Sequence, residues 1–192
     1  MYDETQLKII DATMTLITEK GYSGATTKNI AKLAGVNECT IFRRFDGKKE
    51  IVTAAMELPK WNPGLSRDDF TYHGDLEEDL TSFSGTYMSK VTPQMVKVSI
   101  GLRSAELQGA ALPGIMKVPM VFKEVLVNYF TQMITEGKMR ACNVESLSLQ
   151  FIAMNFGFVF LDASFGNQLV GVSREEYIRN SIRVFVAGIC ES

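Results

Sequence analysis

Between Asn37 and Phe45 the chain reads Asn-Glu-Cys-Thr-Ile-Phe-Arg-Arg-Phe, and wound as a helix this stretch sorts its side chains by chemistry. Ile41 and Phe45 lie four residues apart, about 40° on a helical wheel, so both face one core. Cys39, Thr40 and Arg43 fall on the opposite side, with Arg44 beside them. A short helix anchored by two apolar residues and turning two arginines outward suits a DNA major groove, where a guanidinium makes paired hydrogen bonds to guanine O6 and N7. Glu38, in the first turn, could accept from cytosine N4. Charge agrees locally: from Thr26 to Glu50 six basic residues (Lys28, Lys32, Arg43, Arg44, Lys48, Lys49) stand against three acidic ones. Residues 59 to 192 carry 12 basic and 14 acidic residues, and the net charge is -2. Binding of nucleic acid by bulk charge is thereby excluded, so any such site must be local.

The elements that must position this stretch follow from punctuation. Leu7, Ile10, Met14 and Ile17 share one face of a first helix that reaches about Lys20, with Gly21 as its left-handed cap. Thr26 or Thr27 caps a second helix of about two turns, broken at Gly35. Asn37 caps the third, and Val36 before it can staple onto Ile41. Two short helices joined by a tight glycine turn and leaning on a longer one make a helix-turn-helix. A fourth helix starts at Lys48 and runs to about Leu58. After a connection rich in proline and glycine (59 to 74), longer helices are expected: one capped by Asp75 with Glu78, one opened by Pro93 and ending near Gly109, a broken segment from Pro113 to Pro119, a long helix to Gly137, one from about Val144 to Gly166, and a last one capped by Ser173. The fold class is all-α, with about nine helices, a helix-turn-helix module at 1–58 and a larger helical domain at 59–192.

The segment Ile9 to Val52 resembles the DNA-binding region of the TetR family of bacterial transcriptional regulators. The matching residues are Ala12, Gly21-Tyr22, Thr26-Thr27, Ile30-Ala31, Ala34-Gly35-Val36, Thr40-Ile41-Phe42, Phe45 and Lys48. The resemblance covers about a quarter of the chain. It implies that Thr27 and Lys48 touch phosphates, as their places at helix N-termini allow, and that Asn37, Glu38, Cys39, Thr40, Phe42, Arg43 and Arg44 face the groove. Phe42 stands where the family usually has tyrosine, so a phosphate contact through that hydroxyl is lost. Cys39 replaces a small residue, often glycine, and Arg44 a frequent tyrosine or histidine.

The resemblance also implies that the second domain binds a small molecule in a helical cavity and dimerises through its last two helices. Independently, Phe151, Phe156, Phe158, Phe160 and Phe165 make one helix apolar on nearly every side. Such a helix must be buried, and a second copy would cover it. Seven methionines and fifteen aromatic residues lie beyond residue 58, side chains that suit a loosely selective apolar pocket. The candidate ligand contacts are Trp61, Phe83, Tyr87, Met88, Met95, Met116, Met120 and Tyr129, with Arg103 as a polar anchor.

Catalysis finds little support. His73 is the only histidine and reads as a solvated loop residue, and the acidic group at Asp75, Glu77, Glu78 and Asp79 sits where a helix dipole favours negative charge. No cofactor or metal is expected, and the three cysteines show no disulfide or zinc spacing. The longest uncharged run, Ser146 to Leu161, has 16 residues, short of the roughly 18 that suggest a membrane span. The start is acidic and lacks a signal sequence, so a cytoplasmic protein is expected. The composite expectation is a homodimeric repressor that binds a pseudo-palindromic operator on double-stranded DNA and releases it on taking up a small apolar or amphipathic effector. Two rivals are a small-molecule sensor or carrier whose helix-turn-helix makes only protein contacts, and an all-α enzyme acting through acidic residues.

Overall fold

The computed structural model describes residues 2–62, 64–102 and 108–190, without the side chains of 108–112 and 190. Among these residues there are nine α-helices and no strand: α1 (Glu4–Gly24), α2 (Thr27–Ala34), α3 (Glu38–Arg44), α4 (Lys48–Ala55), α5 (Leu76–Lys90), α6 (Pro93–Gly101), α7 (Gln108–Thr135), α8 (Val144–Phe165) and α9 (Arg174–Cys190). The chain divides into two compact units, Met1–Pro63 with Gln94–Lys117, and Gly64–Pro93 with Val118–Ser192. The first unit therefore takes in most of α6 and the start of α7 as well as α1 to α4.

In the first unit the local signals act where the sequence places them. Asp3 caps α1, its side chain accepting from Gln6 N and Gln6 answering with its own side chain. At Gly21 the backbone turns to φ 70°, ψ 172°, which interrupts the helix before one last turn; a side chain would be strained there. Thr26, rather than Thr27, caps α2, its hydroxyl accepting from Asn29 N. Gly35 is left-handed at φ 68°, ψ 32°, and Asn37 caps α3 by accepting from Cys39 N at 2.9 Å. Ile9, Ile10, Met14 and Ile17 of α1 close over Ile30, Ile41, Ile51 and Val52, and Val98 and Leu102 join the same core.

In the second unit α5 packs against α8 and α9. Its center is a chain of aromatic rings: Tyr87 stacks on Phe122 at 4.6 Å between centroids, Phe122 meets Phe151 at 5.9 Å, and Phe83 meets Tyr129 edge-on at 5.1 Å. Asp79 is wholly buried and accepts from the backbone N–H groups of His73 and Gly74 at 3.0 and 2.9 Å.

Three expectations are corrected. The helix opened by Pro93 ends at Gly101, and Gln108 and Gly109 already belong to α7. No break falls between Pro113 and Pro119, because α7 runs unbroken through both. An interior proline costs about 3 kcal/mol, but the same helix buries Val118, Phe122, Leu126, Phe130 and Met133, and each such side chain returns about 1.5–3 kcal/mol. Finally, α8 with its following turn, Val144–Gln168, is long and apolar enough to cross a membrane by length and composition, although its uncharged run is shorter. Ser148, Phe151, Asn155, Phe158, Val159 and Ala163 of α8 are buried. Phe156 and Phe160 are only partly covered, and Phe165 is 50% exposed.

Candidate nucleic-acid interface

The candidate surface is built on α3. Ile41 and Phe45 are 0% and 4% exposed, and burial of each holds the helix to the first unit by about 2 kcal/mol. On its other side Cys39, Phe42 and Arg43 are exposed, Phe42 by 57%, and Thr40 is half-buried. Arg43 makes no ion pair among the described residues. The capping bond occupies Asn37 Oδ1 and leaves this residue exposed at the start of α3.

The remaining candidates are engaged by the protein itself. The Thr27 hydroxyl donates to Glu38 Oε1, so the first residues of α2 and α3 are tied together and the carboxylate is held in one orientation. Lys48 Nζ donates to the Tyr22 carbonyl at 2.6 Å and lies 3.8 Å from the center of the Tyr22 ring, which seats the start of α4 on the end of α1. Arg44 pairs with Asp3, Nη1 to Oδ2, at 2.9 Å. Asp3 is a member of this surface that the α3 pattern could not have found, since it lies 41 residues earlier in the chain.

The ligand candidates are divided between the units. Trp61, Met95 and Met116 belong to the first and Phe83, Tyr87, Met88, Met120 and Tyr129 to the second, while Arg103 lies outside the described residues. Trp61 is buried in the first unit's core, its indole N–H donating to Asp11 Oδ1 at 3.1 Å. Met116 and Met120 are 42% and 57% exposed. Phe83, Tyr87 and Tyr129 are the three that the ring chain brings together, with Met88 buried beside Tyr87 in sequence. Burial pushes the Tyr87 hydroxyl up to about 12, and burial reinforced by the Asp79 carboxylate pushes Tyr129 higher still, so both stay neutral.

Two buried polar atoms were missing from the candidate set. Ser84 Oγ and Asn155 Oδ1 have no hydrogen-bond partner among the described residues, although both residues are at most 1% exposed. The signal was present: Ser84 follows Phe83 on α5, and Asn155 falls between Phe151 and Phe158 on one face of α8. His73 is not simply solvated, because its Nδ1 lies 2.8 Å from Asp79 Oδ1. Among the described residues no group of three or more His, Cys, Asp or Glu could hold a metal ion.

A capped pair of short helices set on a longer one, in an otherwise helical chain, defines a helix-turn-helix fold. Residues 9–55 match the family model of bacterial regulatory proteins, tetR family. Along 96% of this chain and 97% of its own length, the HTH-type transcriptional regulator YvkB of Bacillus subtilis (strain 168) is 28% identical. The biofilm operon icaADBC HTH-type negative transcriptional regulator IcaR of Staphylococcus aureus (strain Newman) is 46% identical over 44 residues, 23% of this chain and 24% of that one. In fold, a crystal structure of the transcriptional regulator FadR from Bacillus subtilis in complex with stearoyl-CoA superimposes with a TM-score of 0.71 at 21% identity, covering 95% of this chain and 98% of that chain. The chain is thus similar to the tetR family over its helix-turn-helix segment and, along nearly its whole length, to an HTH-type transcriptional regulator.

Proposed function

We propose that the protein is a homodimeric repressor that reads a pseudo-palindromic operator through α3 and releases it on binding a small apolar or amphipathic effector. The observation that carries this reading is α3 itself, with Ile41 and Phe45 buried behind it and Phe42 and Arg43 exposed in front. Arg43 is the direct base reader, by paired hydrogen bonds to guanine. Glu38, held by Thr27, accepts from cytosine or stays clear of the phosphates, and Cys39, Thr40 and Phe42 supply short contacts along the groove. Two copies of α3 enter successive major grooves with centers roughly 34–36 Å apart. Thr27, Asn37 and Lys48 lie at helix N-termini, where backbone N–H groups meet phosphate.

Surface that one chain leaves uncovered supports dimerisation through α8 and α9. Leu149, Leu161 and Phe165 on α8 and Val184 on α9 are 54%, 39%, 50% and 72% exposed, and removal of such area from water is worth about 25 cal/mol per Å². This accounts for α8 as an interface helix of a cytoplasmic protein and not a membrane span. The effector is received in the second unit, where Phe83, Tyr87, Met88 and Tyr129 supply apolar surface and Ser84 Oγ and Asn155 Oδ1, without a hydrogen-bond partner among the described residues, supply polar contacts. Stearoyl-CoA, bound by the Bacillus subtilis FadR, is the first effector to try.

Duplexes enriched from a random pool on the purified protein, followed by fluorescence anisotropy at several salt concentrations, test the reading. Selective binding is expected to weaken by about 1–3 kcal/mol in Arg43→Ala, with relaxed preference at one base pair. Failure of the pool to enrich, or affinity unchanged in R43A, would refute the assignment of α3.

A further inference from the structure

The ion pair between Arg44 and Asp3 places an acidic group of the chain's own N-terminal end against the reading helix. Its two side chains are 40% and 43% exposed, and most pairs of that exposure are weak, because two long side chains must be held still and water screens their attraction. Here one partner is already fixed. Asp3 Oδ1 accepts from the Gln6 backbone N–H at 2.8 Å, and the Asp3 N–H donates to Gln6 Oε1 at 3.0 Å. The residue before it is tied as well, since the Tyr2 hydroxyl donates to Glu57 Oε2 at 2.7 Å. The second carboxylate oxygen is thus presented to the end of α3 by anchors on α1 and beyond α4, and only Arg44 has to be ordered.

From this geometry we infer that Asp3 is a built-in competitor of DNA phosphate for Arg44, and so sets how tightly the protein holds duplex of arbitrary sequence. The inference rests on the DNA-binding reading above. Each phosphate that a basic side chain neutralises releases condensed cations and contributes about -0.9 to the slope of log K against log salt. With Asp3 in place Arg44 is neutralised within the protein and contributes little of this. Without that charge Arg44 is available to any phosphate, whatever the neighbouring bases. The two arginines then have different tasks: Arg43, which makes no ion pair among the described residues, reads sequence, and Arg44 is restrained so that general attraction does not overwhelm that reading.

The decisive variant is Asp3→Asn in the full-length protein, because asparagine caps a helix as well as aspartate does and removes only the charge. Binding to a labelled random-sequence 30-base-pair duplex is measured by anisotropy between 50 and 200 mM salt, in wild-type and R44A backgrounds, with thermal melts to confirm that each variant folds. D3N is expected to bind more tightly and to steepen the slope by about 0.9 per subunit, about 1.8 for the dimer, so that its advantage over wild type shrinks about 12-fold across that salt range. In the R44A background the effect of D3N is expected to be largely lost. An unchanged slope in folded D3N, or an effect undiminished without Arg44, overturns the inference while leaving DNA binding intact. Absence of any salt-dependent binding by the wild-type protein would instead remove the DNA-binding reading itself, and this inference with it.

Discussion

Gly101 closes α6 against α1, and an alanine there gives a sharp test of how the first unit is assembled. The added methyl would stand 2.9 Å from the carbonyl oxygen of Ile17 and 3.1 Å from its Cγ2. The nearer atom is backbone of a helix whose Ile17 side chain is wholly buried, so relief requires α6 to draw back from α1. Overpacking of this kind costs about 1–3 kcal/mol. The gain from replacing glycine in a helix is at most about 1 kcal/mol and smaller at a final residue, which leaves a net loss of roughly 1–2 kcal/mol. Gly85, inside α5, has no atom within 4 Å of the corresponding position, and G85A should raise stability by about 0.5–1 kcal/mol. Urea unfolding followed by circular dichroism, at one fixed protein concentration because any self-association would couple to folding, should move the two midpoints in opposite directions. G101A as stable as wild type, beside a stabilised G85A, would refute the account of the α1 and α6 contact.

Leu161→Asp places a charge on the uncovered face of α8 and is expected to yield monomers in sedimentation velocity runs; a persistent dimer would move the interface elsewhere. Thr27→Val keeps the shape of the side chain but removes the hydroxyl that Glu38 accepts from, and a hydrogen bond to a carboxylate is worth about 1–3 kcal/mol; the expected loss is near the lower end because the pair is part-buried, and an unchanged urea midpoint would count against the tie. Glu136 is held down to about 2, chiefly by the Tyr72 hydroxyl and further by Gln132 and Lys138. A carboxyl lowered on folding adds stability that is present above its unfolded value, about 4.3, and lost as pH falls toward about 2. E136Q should therefore flatten the fall in melting temperature between pH 4.5 and 2, and an equally steep fall would show that this group is not its source.

Much of the helix-turn-helix was legible because its instructions are local. Gly35, Asn37, Ile41 and Phe45 act within one or two turns of themselves, through a backbone angle, a cap and a buried face. The fate of the charged groups was not legible, since Arg44 meets Asp3, Lys48 meets Tyr22 and Thr27 meets Glu38 only after the helices have packed. Pro113 and Pro119 misled because a local penalty was outweighed by the burial of Phe122, Leu126 and Phe130 on the same helix. Trp61 was read with the other aromatic residues beyond residue 58 as a side chain suited to an apolar pocket; its bond to Asp11, fifty residues away, which ties its indole into the first unit's core, is not readable in the sequence. Asn155 carried a readable warning, a polar residue on the inner face of an apolar helix, but a partnerless oxygen is visible only once its neighbours are known.

The placement of Trp61 has a practical consequence. It is the sole indole in the protein, 4% exposed, and Lys60 shares its partner Asp11, with Nζ 2.7 Å from Oδ2. Selectively excited emission therefore reports on the unit that carries α3, free of background from the other. Tyr72, Tyr87, Tyr129 and Tyr177 all lie in that other unit and dominate its ultraviolet signature. An unlabelled sample thus carries two optical channels, through which melting of the two units can be watched separately in one cuvette.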